Sequence, residues 1–408
     1  MHTDIAVIGG GIVGLATARA LLLDGITDAV MVLEKEGAPA THQSTRNSGV
    51  LHAGLQYRPG SEKARLARAG IRAMTEYCAH HGVAHEICGK LVVATDPEEL
   101  PRLEEMLDRG RANGLRGLRR LTPEEVRERE PHVRAAGALL VPEEGIVDYA
   151  GVAAALVREI REAGGEIRTG AEVRAIVRER GAARAADRPG PRWRLVTAAG
   201  EVTARVLVNC AGLHADRIAR MAGEPPPARI LPFRGEYRKL RPERSRLVRH
   251  LIYPLPEPGF PFLGVHFTRR VDGSVDAGPN AVLAFAREGY RFSTVSPRDL
   301  GEALAFPGLW RFLARHPRMV RRELLQSAFP SRLLRALQRL VPEVRSRDLV
   351  AGDAGVRAQA VLPTGEFVHD FLWVERPGAV HVVNAPSPAA TASLVIGREI
   401  ARRAGAAV

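Results

Sequence analysis

Residues 4–8 form an apolar run that stops at three glycines, and residues 12–23 carry apolar side chains at helix-compatible spacing among good helix formers. The pattern predicts a strand, a glycine turn and a helix. A second β-branched run at 29–33 ends in Glu34 and completes a βαβ unit, so two neighbouring parallel strands are expected. Residues 61–80 read as a helix, 90–95 as a strand, the stretch from about residue 97 as a helix, and 143–145 as a turn before an amphipathic helix at 149–163. Strands at 172–177 and 193–196 flank a Gly/Pro/Arg/Ala-rich segment, 181–192, which predicts an exposed hairpin tip. Another buried strand follows at 202–209. From 225 to 291 the alternation of strand and helix gives way to a β-rich stretch dense in Pro, Gly and aromatics, the pattern of a second domain with an antiparallel sheet. Helices return between 300 and 340, and strands at 372–374 and 380–383 precede a final helix.

A length of 408 residues, 45% of them hydrophobic, predicts two or three domains at roughly 150 residues each. The net charge is +13, yet only Lys35, Lys63, Lys90 and Lys239 are lysines. The excess is therefore Arg scattered among Glu along helices, with aromatics at only 5%. Such a surface lacks the basic tract interleaved with aromatics that nucleic-acid binding needs, and no nucleic-acid partner is expected. Arg-rich helices at 309–340 suit peripheral contact with anionic lipid. Cys78, Cys88 and Cys210 have neither metal-ligand spacing nor a disulfide framework, which fits a reducing compartment and predicts no metal. With no apolar run of membrane-spanning length and no signal-peptide pattern, a cytoplasmic location is expected, with peripheral placement on the inner face of the cell membrane as its variant.

Gly9, Gly11 and Gly14 make G-x-G-x-x-G between strand and helix, with Glu34 twenty residues beyond the last glycine. The first glycine permits the tight turn, the second lets a pyrophosphate approach the backbone, and the third lets helix and sheet pack closely. Helix N–H groups then face the phosphates, and Glu34 accepts hydrogen bonds from a ribose diol. This unit predicts a dinucleotide without deciding between FAD and NAD. The small polar residues of 45–49, the Asn209-Cys210-Ala211-Gly212 turn and the segment 384–391 ahead of the last helix are each suited to touching an extended cofactor.

Together, the N-terminal GGGIVG with Glu34-Lys35, the NCAG turn and the C-terminal NAPSPAAT resemble the FAD-dependent oxidoreductases of the D-amino-acid oxidase superfamily, which includes glycine oxidase and glycerol-3-phosphate dehydrogenase. The stretches RNSGVLHAGLQY, CGKLVVA, GIVDY, PFRGEY, LGVHFTRRVDGSVDAGPNAVLAF and AGVRAQA narrow the resemblance to the L-2-hydroxyglutarate dehydrogenase/oxidase family. Arg269 departs from the family's pattern, where a proline is expected. The resemblance implies an α/β protein with a discontinuous Rossmann-like FAD-binding domain (1–84, 145–224 and 336–408). It also implies an α+β substrate domain on a mostly antiparallel sheet (85–144 and 225–335). Cofactor contacts are implied at Gly9, Gly11, Ile12, Val13, Gly14, Glu34, Lys35, Thr45, Asn47, Ser48, Val173, Ala211, Gly212, Gly355, Pro386, Ser387, Ala389, Ala390 and Thr391.

The implied reaction is oxidation of L-2-hydroxyglutarate to 2-oxoglutarate by hydride transfer to flavin N5, with electrons passing to a quinone, the respiratory chain or oxygen. An amino acid or glycerol 3-phosphate is the alternative substrate. Such chemistry needs a carboxylate clamp, a base and stabilisation of the reduced flavin. Arg357 and Arg234 are expected to clamp a 2-hydroxy dicarboxylate, because a guanidinium fork matches a carboxylate in two hydrogen bonds. His52 and His266 are the candidate bases, with His52 favoured by its place just after the 45–49 loop. Tyr253 and Tyr57 are candidates to orient the substrate. The helix expected to start at 387–391 would stabilise charge at the flavin N1/O2 edge. No cysteine lies in that C-terminal loop, so non-covalent FAD is expected, with attachment through His42 or His52 left open.

Overall fold

The first strand, His2–Ile8, and the second, Val30–Leu33, lie side by side in parallel. The Ile5–Ile8 end of the first and the whole of the second are apolar and buried, because both are covered on two faces there. In the computed structural model, residues 1–179, 192–256 and 263–406 are described. The expected hairpin tip lies outside them, apart from Arg192, which opens the strand Arg192–Thr197. Among the described residues the first sheet runs Val173–Glu179, Arg192–Thr197, Gly200–Asn209, His2–Ile8, Val30–Leu33, Glu166–Arg168. Ala379–Asn384 joins Gly200–Asn209 in parallel and carries Leu372–Arg376 outside it.

Helix Ile12–Leu23 is buried on nearly all sides, between Tyr149–Glu162 and Ser393–Gly405. Its crossing with the last helix is tight: a Cβ on Gly397 would lie 2.5 Å from the Ala16 carbonyl carbon. On the opposite face the fully buried Trp193 donates its indole N–H to the Gly378 carbonyl at 2.7 Å, which satisfies the one polar group that such a core position must pair.

The second sheet runs Val282–Leu283, Arg229–Leu240, Val275–Gly278, His266–Arg269, Leu251–Pro254, Lys90–Ala94, Gly137–Val141, Arg119–Leu121. Every pairing is antiparallel except Leu251–Pro254 with Lys90–Ala94. Residues 349–361, expected in the cofactor-binding domain, instead form the strand Leu349–Val361 paired along Arg229–Leu240. Alternating small residues gave that segment no helical or buried-strand signature, and its long ladder partner decides its place. A small third sheet of Val50–Leu51, Gly145–Val147 and His85–Glu86 lies between the two larger ones in sequence.

The helical region resolves into Pro297–Leu304, Pro307–Arg315, Pro317–Ala328 and Pro330–Leu340. Each begins with proline at its first position, where a missing N–H costs nothing and the fixed φ suits a helix start. The last of them buries Leu333, Leu337 and Leu340 against the far face of the second sheet. Leu337→Ala should cost about 2–5 kcal/mol in urea denaturation, whereas Leu324→Ala, at a side chain that is 53% exposed, should change stability by less than about 0.5 kcal/mol.

Candidate active site

The glycine turn closes because its glycines are irreplaceable. Gly9 has φ +106°, and a Cβ there would stand 2.5 Å from the Cys210 carbonyl oxygen. A Cβ on Gly14 would meet the Gly9 carbonyl oxygen at 2.0 Å, whereas one on Gly11 would meet only Ser44 Oγ at 3.3 Å. Gly11 is thus less crowded than Gly9 or Gly14, though Ser44 Oγ stands close to it. The helix behind it has no acidic side chain in its first turn to repel a phosphate. Glu34 is buried, and its carboxylate accepts from Gly10 N at 2.8 Å and Glu36 N at 2.9 Å, so it braces the turn and the next segment together.

Ser44, which the sequence reading passed over, accepts from Ile12 N at 2.8 Å. Thr45 and Asn47 turn inward: Thr45 donates to the Ala40 carbonyl, and Asn47 donates to Gln43 and Ser44 carbonyls while accepting from Gly49 N. These side chains shape the loop. Asn209 holds the NCAG turn by accepting from Ala211 N and donating to the Ala215 carbonyl, and it meets the buried His381, which in turn contacts Glu224. The Lys35 ammonium is taken up by Glu36 and, at 2.8 Å, by Glu288.

At the C-terminal segment the structure differs from expectation. Residues 387–392 form turns and the helix starts only at Ser393. Pro386 and Pro388 impose their own geometry, with the Pro386 carbonyl accepting from Ala389 N and the Pro388 carbonyl from Ala392 N. The Thr391 hydroxyl is buried and engaged with His52 N, Tyr149 Oη and the Val50 carbonyl, which ties this segment to the one carrying His52. Ser387 reaches the Tyr57 hydroxyl.

His52 follows the strand Val50–Leu51, and its Nδ1 lies 3.5 Å from Glu144 Oε2. Glu144 is 1% exposed, pairs with Lys90 Nζ at 2.6 Å, and accepts from Ala53 N at 3.1 Å. Burial disfavours its charge, but Lys90 and His52 override burial and hold the carboxyl down at about 2. Lys90 opens a buried strand and lies 5.2 Å from the centre of the Tyr253 ring, which stacks on His266 at 3.9 Å.

His266 is buried and directs Nδ1 at the Gly264 carbonyl at 2.8 Å. Burial pushes its pKa down to about 3; the Gly264 hydrogen bond opposes this, and the charges of Arg357, His52 and Lys90 add to it. At neutral pH the ring is therefore uncharged, with an N–H on Nδ1 and a lone pair on Nε2. Tyr253, His266, Lys90, His52 and Arg357 are thus brought into mutual influence.

Arg234, the other expected clamp residue, is set apart from Arg357. Arg357 stands opposite Phe233 and Arg234 opposite Val356, so alternation sends the two guanidiniums to opposite faces of their ladder. Arg234 is buried, bound to Glu236 at 2.9 Å and set over Phe292. Gly355 marks the nearest approach of this ladder to the cofactor loop: a Cβ there would lie 2.4 Å from the Arg46 carbonyl oxygen. Val173 is buried in the first sheet.

Glu144 and Lys90 went unnoticed in the sequence. The available signal was a lysine, one of four in the chain, at the head of an otherwise apolar strand. A buried ammonium demands a buried carboxylate.

Residues 4–403 match the family described as FAD dependent oxidoreductase. The chain is 45% identical over 398 residues to L-2-hydroxyglutarate dehydrogenase of Escherichia coli K12, covering 97% of this chain and 92% of that protein. It is 43% identical over 407 residues to the human mitochondrial L-2-hydroxyglutarate dehydrogenase, covering 98% and 88%. Among solved structures, the FAD-bound L-α-glycerophosphate oxidase of Mycoplasma pneumoniae superposes with a TM-score of 0.80 at 22% identity, covering 99% of this chain and 95% of that one. Glycine oxidase of Geobacillus kaustophilus gives 0.71 at 21%, covering 98% and 95%. These two likenesses are of fold.

Because Glu144 titrates well below its ordinary 4.5, its ionic contacts stabilise the fold fully above that value and are lost as pH falls toward about 2. Glu144→Gln should lower the urea midpoint at neutral pH, and the gap to the parent should close on acidification across that window. A gap independent of pH would show that the carboxylate charge is not what holds the site.

Proposed function

The chain belongs to the FAD-dependent oxidoreductase family, and from that premise we propose that it oxidises L-2-hydroxyglutarate to 2-oxoglutarate. The observation that supports this most is the His52–Glu144 pair placed beside Arg357 and an uncharged His266. The full-length similarity to L-2-hydroxyglutarate dehydrogenases supplies the substrate. The close-packed glycine turn, the uncharged first turn of the helix and the Glu34 carboxylate fit FAD. FAD, when bound, supplies the acceptor for the hydride leaving the substrate's α-carbon.

The protein's own contributions follow from geometry. Arg357 offers a permanently charged fork to the substrate carboxylate. Glu144 favours the proton on His52 Nδ1 and leaves Nε2 to take the hydroxyl proton; the carboxylate then stabilises the imidazolium formed. His266, held neutral, presents Nε2 as a hydrogen-bond acceptor without adding a second cation. Arg234 holds Glu236 through Nε and Nη2 and keeps a buried Nη1 without a partner among the described residues, a donor suited to a second carboxylate.

Anaerobic addition of L-2-hydroxyglutarate should bleach the flavin absorbance, while D-2-hydroxyglutarate, glycine and glycerol 3-phosphate leave it unchanged; bleaching by one of the latter instead would reassign the substrate. His52→Ala should lower kcat by about 10²- to 10⁴-fold with FAD retained. Arg357→Ala should raise KM for the diacid at least about tenfold.

A second reading concerns the electron acceptor. No helix among the described residues is long and apolar enough to cross a membrane. Yet Trp310 and Leu324, on helices that also carry Arg311, Arg318 and Arg321, and Phe329, at the junction before the helix that carries Arg332, are each more than half exposed. That composition fits shallow contact with anionic lipid and access to a quinone dissolved in it. Sedimentation with anionic vesicles should be lost in high salt and weakened by Trp310→Ser; equal recovery with neutral vesicles would argue against this surface, and oxygen would then be the acceptor to test.

A further inference from the structure

Between the strand Val282–Leu283 and the helix Pro297–Leu304 the chain makes a loop whose ends meet: Ser296 N donates to the Phe285 carbonyl at 3.0 Å. Compact loops closed at the base move as units. This one is rooted by Arg287, which is buried and bound to Asp216 and to the Leu213 carbonyl. Its tip reaches back to three segments around the dinucleotide turn. Glu288 accepts from Lys35 Nζ at 2.8 Å, beside Glu34, and meets His214 Nε2 at 3.1 Å, just past the Ala211-Gly212 turn. His42 Nε2 stands 3.4 Å from the same carboxylate. Two residues on, the Tyr290 hydroxyl meets His42 Nδ1 at 2.9 Å, and the Arg46 guanidinium lies 4.4 Å from the centre of its ring.

His42 belongs to the loop whose Ala40 N and Ser44 Oγ grip Gly10 and Ile12, so the tip holds the wall of the phosphate site indirectly. Burial opposes the charge on Glu288, but His214, Lys35 and His42 together keep the carboxyl down at about 2. Glu36, His42 and Glu288 converge within 4.8 Å, a spacing that would suit a cation, and the Lys35 ammonium already serves there as one.

We propose that residues 285–296 form a clasp, with Glu288 as its keystone, that governs how fast FAD leaves the protein. Neither Glu288 nor Tyr290 is needed for the chemistry at His52. Both act through Lys35, His42 and His214 and are positioning residues for the cofactor site.

The test uses FAD release from the holoenzyme, followed by the rise of flavin fluorescence after dilution, and requires no substrate; it stands or falls independently of the L-2-hydroxyglutarate reading. Glu288→Gln removes the charge-assisted contacts and should accelerate release about tenfold or more. Tyr290→Phe, which loses one hydrogen bond and keeps the ring, should give a smaller acceleration. Melting temperatures at saturating FAD should stay near that of the parent and report that both variants fold. Should Glu288→Gln fail to fold, Tyr290→Phe carries the test alone. Release rates for the folded variants within twofold of the parent would overturn the clasp.

Discussion

A carboxylate removed from water survives as an anion only if cations and N–H donors replace the solvent, and Glu144 is the position where this protein meets that demand. Lys90 comes from the second large sheet, His52 from beyond the edge of the small one, and Ala53 N from the segment after it. Two stretches distant from it in sequence, 52–53 and 90, must therefore close around one charge before it is tolerated. Their closure fixes the imidazole at the point where the cofactor loop and the substrate sheet meet. Removing any one partner leaves a buried charge uncompensated, so the same contacts that organise the reaction also oblige the fold to be complete.

Strand alternation apportions the remaining groups. On the Arg229–Leu240 and Leu349–Val361 ladder, a shift of one residue separates a guanidinium whose charge acts on His266 from one that holds Glu236. Arg357 and Arg234 are chemically equivalent, and parity sends them to different faces. His266 and Tyr253, stacked on adjacent strands, lie on the face turned away from the apolar cluster that holds Ile252 and Phe267. One sheet thereby gives one face to packing and the other to chemistry.

The cofactor end is organised differently. Backbone N–H groups, glycine contacts and inward-turned side chains such as Thr45 and Asn47 make a rigid cradle with few side chains pointing at a ligand. The glycine turn and the loop at 285–296 draw on different residues: the turn is built from residues 9–14 against Cys210, and the loop meets Lys35, His42 and His214 beside it.

The sequence by itself determined whatever depends on neighbours in the chain. The glycine spacing, the buried first strands, the return of helices between 300 and 340 and the family motifs each follow from residues close in the chain, and each was legible. It also determined which residues had the right chemistry. It could not determine which of them would meet. The pairing of 349–361 with the second sheet, the burial of Glu144 against Lys90 and the delay of the last helix to Ser393 are set by long-range register and by compensation of buried charge. Those are properties of the closed tertiary structure, because a charge has no partner and a strand has no face until another part of the chain is brought against it.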